Sequence, residues 1–186
     1  MIPPIDSAAE KIANRVERRW AAISVAIVAS LVVMAAFGGI HQAAMPQRQV
    51  ELVDPRTLHV SGEFIESNLG TGLEPDGSVT VRLIAQQYSF TPACIVVPAD
   101  VPVNIRATSA DAVHGLLIDG TNVNLMLVPG YISSAPTRFT RLGDRHMPCH
   151  EFCGIGHEGM WGRVRVVDRT TFMQLAADRR RNDCGG

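Results

Sequence analysis

Between residues 45 and 168 the sequence contains no lysine, and 13 acidic residues stand against nine arginines there. A mildly acidic balance suits a basic protein partner and argues against nucleic acid, although much of it can equally be solvated surface. Also absent are a Ser/His/Asp set, a phosphate-cradling glycine loop and a paired-carboxylate constellation. The residue patterns of hydrolysis and group transfer are therefore missing. There is no internal repeat and no low-complexity tract. Aromatic residues make up only 5% of the chain, and cysteines number four. A length of 186 residues suffices for one domain of usual size with appendages.

Charge is missing altogether from residues 20–40, WAAISVAIVASLVVMAAFGGI. About 20 apolar residues cross a bilayer as a helix, so 20–40 is expected to be a transmembrane helix. Lys11, Arg15, Arg18 and Arg19 precede it, which makes 1–19 a cytoplasmic segment by the positive-inside rule. Trp20 stands where interfacial aromatics belong. Ile12 and Val16 among those basic residues give the first segment an amphipathic option beside that of a solvated tail. The competing reading is a cleaved signal peptide, for which Ala43-Ala44 offers a site, although such apolar cores are usually about 7–15 residues long. Both readings export residues 45–186, where thiols need a metal or a partner to escape oxidation.

Residues 41–78 read as a connector. It ends in Gly70-Thr71-Gly72-Leu73-Glu74-Pro75-Asp76-Gly77, a loop by its density of turn formers. From there short β-rich runs alternate with turns, at 79–85, 94–97, 101–107, 113–118, 125–128, 133–139 and 162–167. Short strands at such close spacing predict a sandwich or barrel rather than a parallel sheet. Residues 169–186 read as a C-terminal tail.

The most informative stretch is Cys149-His150-Glu151-Phe152-Cys153-Gly154-Ile155-Gly156-His157-Glu158-Gly159-Met160. It packs two thiolates, an imidazole and a thioether into one loop, and His114 lies upstream. Soft sulfur mixed with imidazole suits copper, and a mononuclear blue-copper site needs one Cys, two His and a weak axial Met. Here there is one Cys more, so the second thiolate can bridge a second copper. A tetrahedral zinc site on Cys149, Cys153, His157 and another His competes with this, although zinc has no use for Met160. A Cys149–Cys153 disulfide competes as well. Glycines 154, 156 and 159 let such a loop wrap closely around ions.

This loop, with Asp111-Ala112-Val113-His114-Gly115, Gly120-Thr121-Asn122-Val123-Asn124 and Val128-Pro129-Gly130, resembles subunit II of haem–copper cytochrome c oxidases. More narrowly it is similar to the short, single-anchor subunit II of the ba-type branch. The likeness is close over residues 79–168 and loose over the anchor. It implies a mainly β, cupredoxin-like Greek-key sandwich or barrel behind one N-terminal transmembrane helix. It also implies a binuclear copper (CuA) centre. Carried over, the bridging thiolates are Cys149 and Cys153, the imidazole ligands His114 and His157, the thioether Met160, and Glu151 lends its carbonyl.

The resemblance further implies a respiratory role. Cytochrome c or a small copper protein would deliver electrons, which pass to haem in subunit I for reduction of O2 to water with proton pumping. The setting would be a bacterial or archaeal cell membrane, with lipid around the anchor and the copper domain on its outer side. Tyr88 and Phe90 fall where the family has its electron-accepting aromatic patch, with Gln86 where a third ring is expected. The Glu151 carboxylate falls where many relatives hold Mg2+ or Mn2+ jointly with subunit I. Alternatives are the CuA-bearing small subunit of a nitric oxide reductase and, from another class, a membrane-anchored copper assembly module. His146, His150, His41 and His59 are expected at the surface or an interface. Cys94 reads as a small buried hydrophobe, Cys184 is expected to lie disordered in the tail, and a Cys94–Cys184 pairing has no support in the sequence.

Overall fold

The computed structural model describes residues 7–43, 50–177 and 184. They divide into two compact units, the first ending at Gln49 and the second beginning at Val50.

The first unit is one helix, α1 (Ser7–Ala43), of 37 residues. It starts well before the expected residue 20 and carries the charged stretch with it. The candidate span Glu10–Gly39 contains an 18-residue window of mean hydropathy 2.4. At 1.5 Å per residue the uncharged stretch 20–40 is about 31 Å long, against the ~30 Å of a bilayer's hydrocarbon core. The helix is long and apolar enough to cross a membrane, and a single-pass anchor fits it. The 44–49 part of the connector lies outside the described residues.

The second unit is built of strands β1 (Glu51–Leu52), β2 (Gly70–Leu73), β3 (Val79–Gln86), β4 (Ser89–Thr91), β5 (Cys94–Pro98) and β6 (Pro102–Ser109). There follow β7 (His114–Leu117), β8 (Asn124–Leu127), β9 (Tyr131–Arg138), β10 (Gly143–Pro148), β11 (Trp161–Val167) and helix α2 (Arg169–Ala177). One sheet runs β1-β9-β6-β3-β2 with β4 on β3, a second runs β10-β11-β5, and β7-β8 form a hairpin. β3 pairs with β6, and β5 with β11, in parallel. Strands distant in sequence thus lie side by side, as Greek-key crossovers between layers require. Val81, Leu83, Ile105 and Ala107 of one sheet share a buried core with Ile95, Val97, Val164 and Val166 of the other. The expected cupredoxin-like sandwich is present, open rather than closed into a barrel.

Several segments depart from expectation. The alternation of β3 breaks at Ile84 because both faces are covered there. Ile84 packs with Leu58, Phe64 and Leu69 in a second buried cluster. From Val50 onward the connector is therefore part of the sandwich, with single 3-10 turns at Gly62–Phe64 and Glu66–Asn68. Gly70–Leu73, read as loop from its glycines, pairs with β3 along four residues, because the edge of a sheet can override weak local propensity. β10 escapes a hydrophobic scan because it is charged, as befits an edge strand.

Arg82 and Arg106 stand directly opposite each other on β3 and β6. Glu63 bridges the two guanidiniums, Arg106 also pairs with Glu51, and Arg82 pairs with Glu74 at 2.6 Å. Burial pushes the Glu63 carboxyl up, but the hydrogen bonds and charges of Arg106 and Arg82 outweigh it and hold its pKa below the ordinary carboxylate value.

Within the expected tail, residues 169–177 form α2. Asp168 caps α2, accepting from the Thr171 N–H at 2.9 Å, and Phe172 is buried in the main core. Cys94 and Cys184 form a disulfide across 90 residues of sequence. This corrects the reading of Cys94 as a plain buried hydrophobe and of Cys184 as a disordered tail residue.

Candidate metal centre

The β10–β11 hairpin ends in a long loop rather than a tight turn, because β10 stops at Pro148 and β11 begins at Trp161. A hydrogen bond from the Cys149 N–H to the Met160 carbonyl, 3.0 Å, closes the loop at its neck. The first and last expected ligands are thereby tied together. Within it a 3-10 turn, His157–Gly159, folds the chain back so that His157 faces inward. His114 arrives from the start of β7 and is fully buried.

The expected donors converge. The Cys149 and Cys153 sulfurs lie 3.9 Å apart, both buried and both free. His114 Nδ1 lies 3.9 Å from the Cys149 sulfur, and the Glu151 carbonyl accepts from that thiol at 3.2 Å. On the other side His157 Nδ1 is 3.6 Å and Met160 Sδ 3.8 Å from the Cys153 sulfur. His114, Cys149 and Cys153 bring their donor atoms within 4.8 Å of one another.

The two thiols are not joined in a disulfide, their separation being well beyond the ~2.05 Å of an S–S bond. A single tetrahedral metal wants its donors around one point, whereas here each sulfur has its own imidazole and its own weak donor. The set fits a soft, thiolate-bridged pair of metals. Burial and the neighbouring Cys149 push the Cys153 thiol up to about 11. Cys153 therefore keeps its thiol proton until a metal displaces it.

Behind His114 lies Asp111. Its Oδ1 is 2.9 Å from His114 Nε2, and it also accepts from the backbone N–H groups of Gln87 (2.7 Å) and Ala112 (2.6 Å). Burial raises this carboxyl, but those hydrogen bonds win and leave it below the ordinary range. Gln87 also donates its side-chain N–H to the Cys153 carbonyl at 2.5 Å. Asp111 stands in the Asp111–Gly115 motif with no role expected for it, and nothing in the sequence singles out Gln87. A carboxylate three residues before a candidate ligand histidine was the available signal.

The two aromatics expected to accept electrons part company. Phe90 is only 2% exposed and belongs to the core. Tyr88 is 40% exposed. Its ring also lies against the ligand loop, where a Cβ added at Gly156 would come within 2.7 Å of it. His150 is exposed and sits over Gly115. His146 is exposed and makes an edge contact with Trp161, ring centroids 5.9 Å apart.

Residues 81–167 match the family described as cytochrome c oxidase subunit II, periplasmic domain. Cytochrome c oxidase subunit 2 of one Thermus thermophilus strain is 29% identical over 154 residues, 82% of this chain and 92% of that protein. A second Thermus thermophilus subunit 2 is 30% identical over 124 residues, 67% of this chain and 92% of that one. A chain of a heme-copper terminal oxidase dimer solved by cryo-electron microscopy superposes with a TM-score of 0.56 at 28% identity, covering 79% of this chain and 99% of that chain. With its fold, its thiol-rich loop and these relatives, the chain belongs to the cytochrome c oxidase subunit II family.

Proposed function

We propose that the chain takes up electrons for a terminal respiratory haem–copper oxidase at a binuclear CuA centre. The observation that carries this is the pair of buried free thiols 3.9 Å apart, each flanked by one imidazole and one weak donor. Cys149 and Cys153 would bridge, His114 and His157 would terminate the pair, and the Glu151 carbonyl and Met160 would tune it. Two coppers sharing two thiolates carry one electron at a time with little change of geometry.

The protein's part is to keep that geometry fixed and dry. The neck hydrogen bond, the buried His114 and the Tyr88 ring hold the loop, and burial of both sulfurs excludes water. Electrons would come from a cytochrome c or a small copper protein docking beside Tyr88. They would go to haem in subunit I, where O2 is reduced to water with proton pumping. The Glu151 carboxylate is available to share a Mg2+ or Mn2+ ion with subunit I. The basic residues at 11–19 would keep the N-terminus cytoplasmic and the sandwich on the outer face of a bacterial or archaeal membrane. Replacing Cys153 by Ser in the full chain tests the assignment. At most one copper should remain, and retention of two with an unchanged spectrum would refute it.

A further inference from the structure

His114 and Cys153 come from different elements, the start of β7 and the β10–β11 loop, yet one chain of hydrogen bonds joins them. It runs from His114 Nε2 to Asp111 Oδ1 (2.9 Å), from Asp111 Oδ2 to the Gln87 N–H (2.7 Å), and from Gln87 Nε2 to the Cys153 carbonyl (2.5 Å). An ionised carboxylate only accepts, so the imidazole proton sits on Nε2 and the Nδ1 lone pair faces the Cys149 sulfur. Gln87 lies in the turn between β3 and β4, beside Tyr88, whose ring meets Gly154 and Gly156 of the same loop. That turn therefore touches both halves of the centre.

We propose that Asp111 and Gln87 act as one positioning link, which sets the tautomer of His114 and holds it in register with the thiolate loop. This rests on the reading of that loop as a CuA site. A carboxylate behind a metal-bound imidazole orients the ring and raises its basicity, and losing such a partner typically costs about 10–100-fold in metal affinity. Asp111 also contributes negative charge behind a ligand, which favours the oxidised, more positive state. Removing it should raise the potential.

The test uses the full chain in detergent, loaded with copper, as wild type, Asp111→Ala, Asp111→Asn, Gln87→Ala and the Gln87→Ala/Asp111→Ala double variant. Three quantities are read: copper release to a chelator, midpoint potential, and the hyperfine-shifted NMR signals of the histidine and cysteine protons. Asp111→Ala should speed release about 10–100-fold, raise the potential and shift the His114 signals. Asp111→Asn should recover part of this, because its carbonyl still accepts from Nε2. Gln87→Ala should shift the Cys153 signals, and the double variant should fall short of the product of the two single effects. Unchanged potential and histidine signals in Asp111→Ala, or effects that simply multiply, would overturn the link. Should Asp111→Ala not fold, Asp111→Asn and Gln87→Ala carry the same comparison. A wild-type chain holding fewer than two coppers would overturn the CuA reading and this proposal together, whereas two coppers in every variant with identical signals would overturn the link alone.

Discussion

Replacing Gly156 by Ala probes how the Tyr88 ring braces the ligand loop. The backbone at Gly156, φ −95° and ψ 13°, is open to alanine, so any cost must come from contact. The added Cβ would lie 2.7 Å from Tyr88 Cδ2 and 2.9 Å from Cγ, where ordinary contact begins at 3.4 Å. Ring and loop must part by about 0.7 Å, and overpacking of this kind costs about 1–3 kcal/mol. Without the ring the same change should be neutral, or stabilise by about 0.4–1 kcal/mol through the unfolded chain. Thermal unfolding of the metal-free full chain, followed by near-UV circular dichroism, measures both. In wild type Gly156→Ala should lower the midpoint by about 2–4 °C per kcal/mol and weaken copper retention, since Cys153 and His157 flank the displaced residue. In a Tyr88→Ala background the penalty should vanish. Gly154 and Gly159 serve as controls. Gly154 sits at φ +138°, so Gly154→Ala should stay costly with or without the ring, while nothing lies within 4 Å of a Cβ at Gly159 and Gly159→Ala should be silent. An equal cost for Gly156→Ala in both backgrounds would refute the bracing role of Tyr88.

The Glu63 carboxylate, held below its ordinary 4.5 by Arg106 and Arg82 against the opposing effect of burial, contributes stability that is complete at neutral pH and lost as pH falls below about 4.5. Glu63→Gln should cost about 1.5–3 kcal/mol at pH 7 and flatten acid unfolding over that window, and an unaltered acid profile would contradict the pairing. Cys184→Ser opens a disulfide spanning 90 residues. It should destabilise the sandwich by about 2–5 kcal/mol while leaving the copper spectrum intact, and a bleached spectrum would mean that the C-terminal region reaches the metal site. Tyr88→Ala should slow oxidation of reduced cytochrome c, and association should weaken with salt as the acidic surface is screened over ~8 Å. A salt-insensitive rate would show that docking is apolar.

The ligand loop was legible because its chemistry is local. Two thiols, an imidazole and a thioether within twelve residues leave few alternatives, and the structure has both thiols free. Strands with apolar runs, such as β3, β5, β6 and β11, were legible for the same reason. What escaped depends on contacts between distant residues. β2 is made of glycine, threonine and leucine, and becomes a strand only because β3 offers it an edge. Ile84 interrupts the alternation of β3, and only the fold shows the connector covering its second face. Nothing in the composition of the last 18 residues announces that Phe172 enters the core or that Cys184 reaches Cys94. Tyr88 and Phe90 are two residues apart, yet one lies in the turn and the other on β4, so their opposite exposures could not be read from spacing.

The most direct test of the account is the copper content and electron paramagnetic resonance of the purified full chain. Two coppers per chain are expected, with a single unpaired electron in the mixed-valence state coupled equally to both nuclei. One copper per chain with the spectrum of a mononuclear blue-copper site would contradict it.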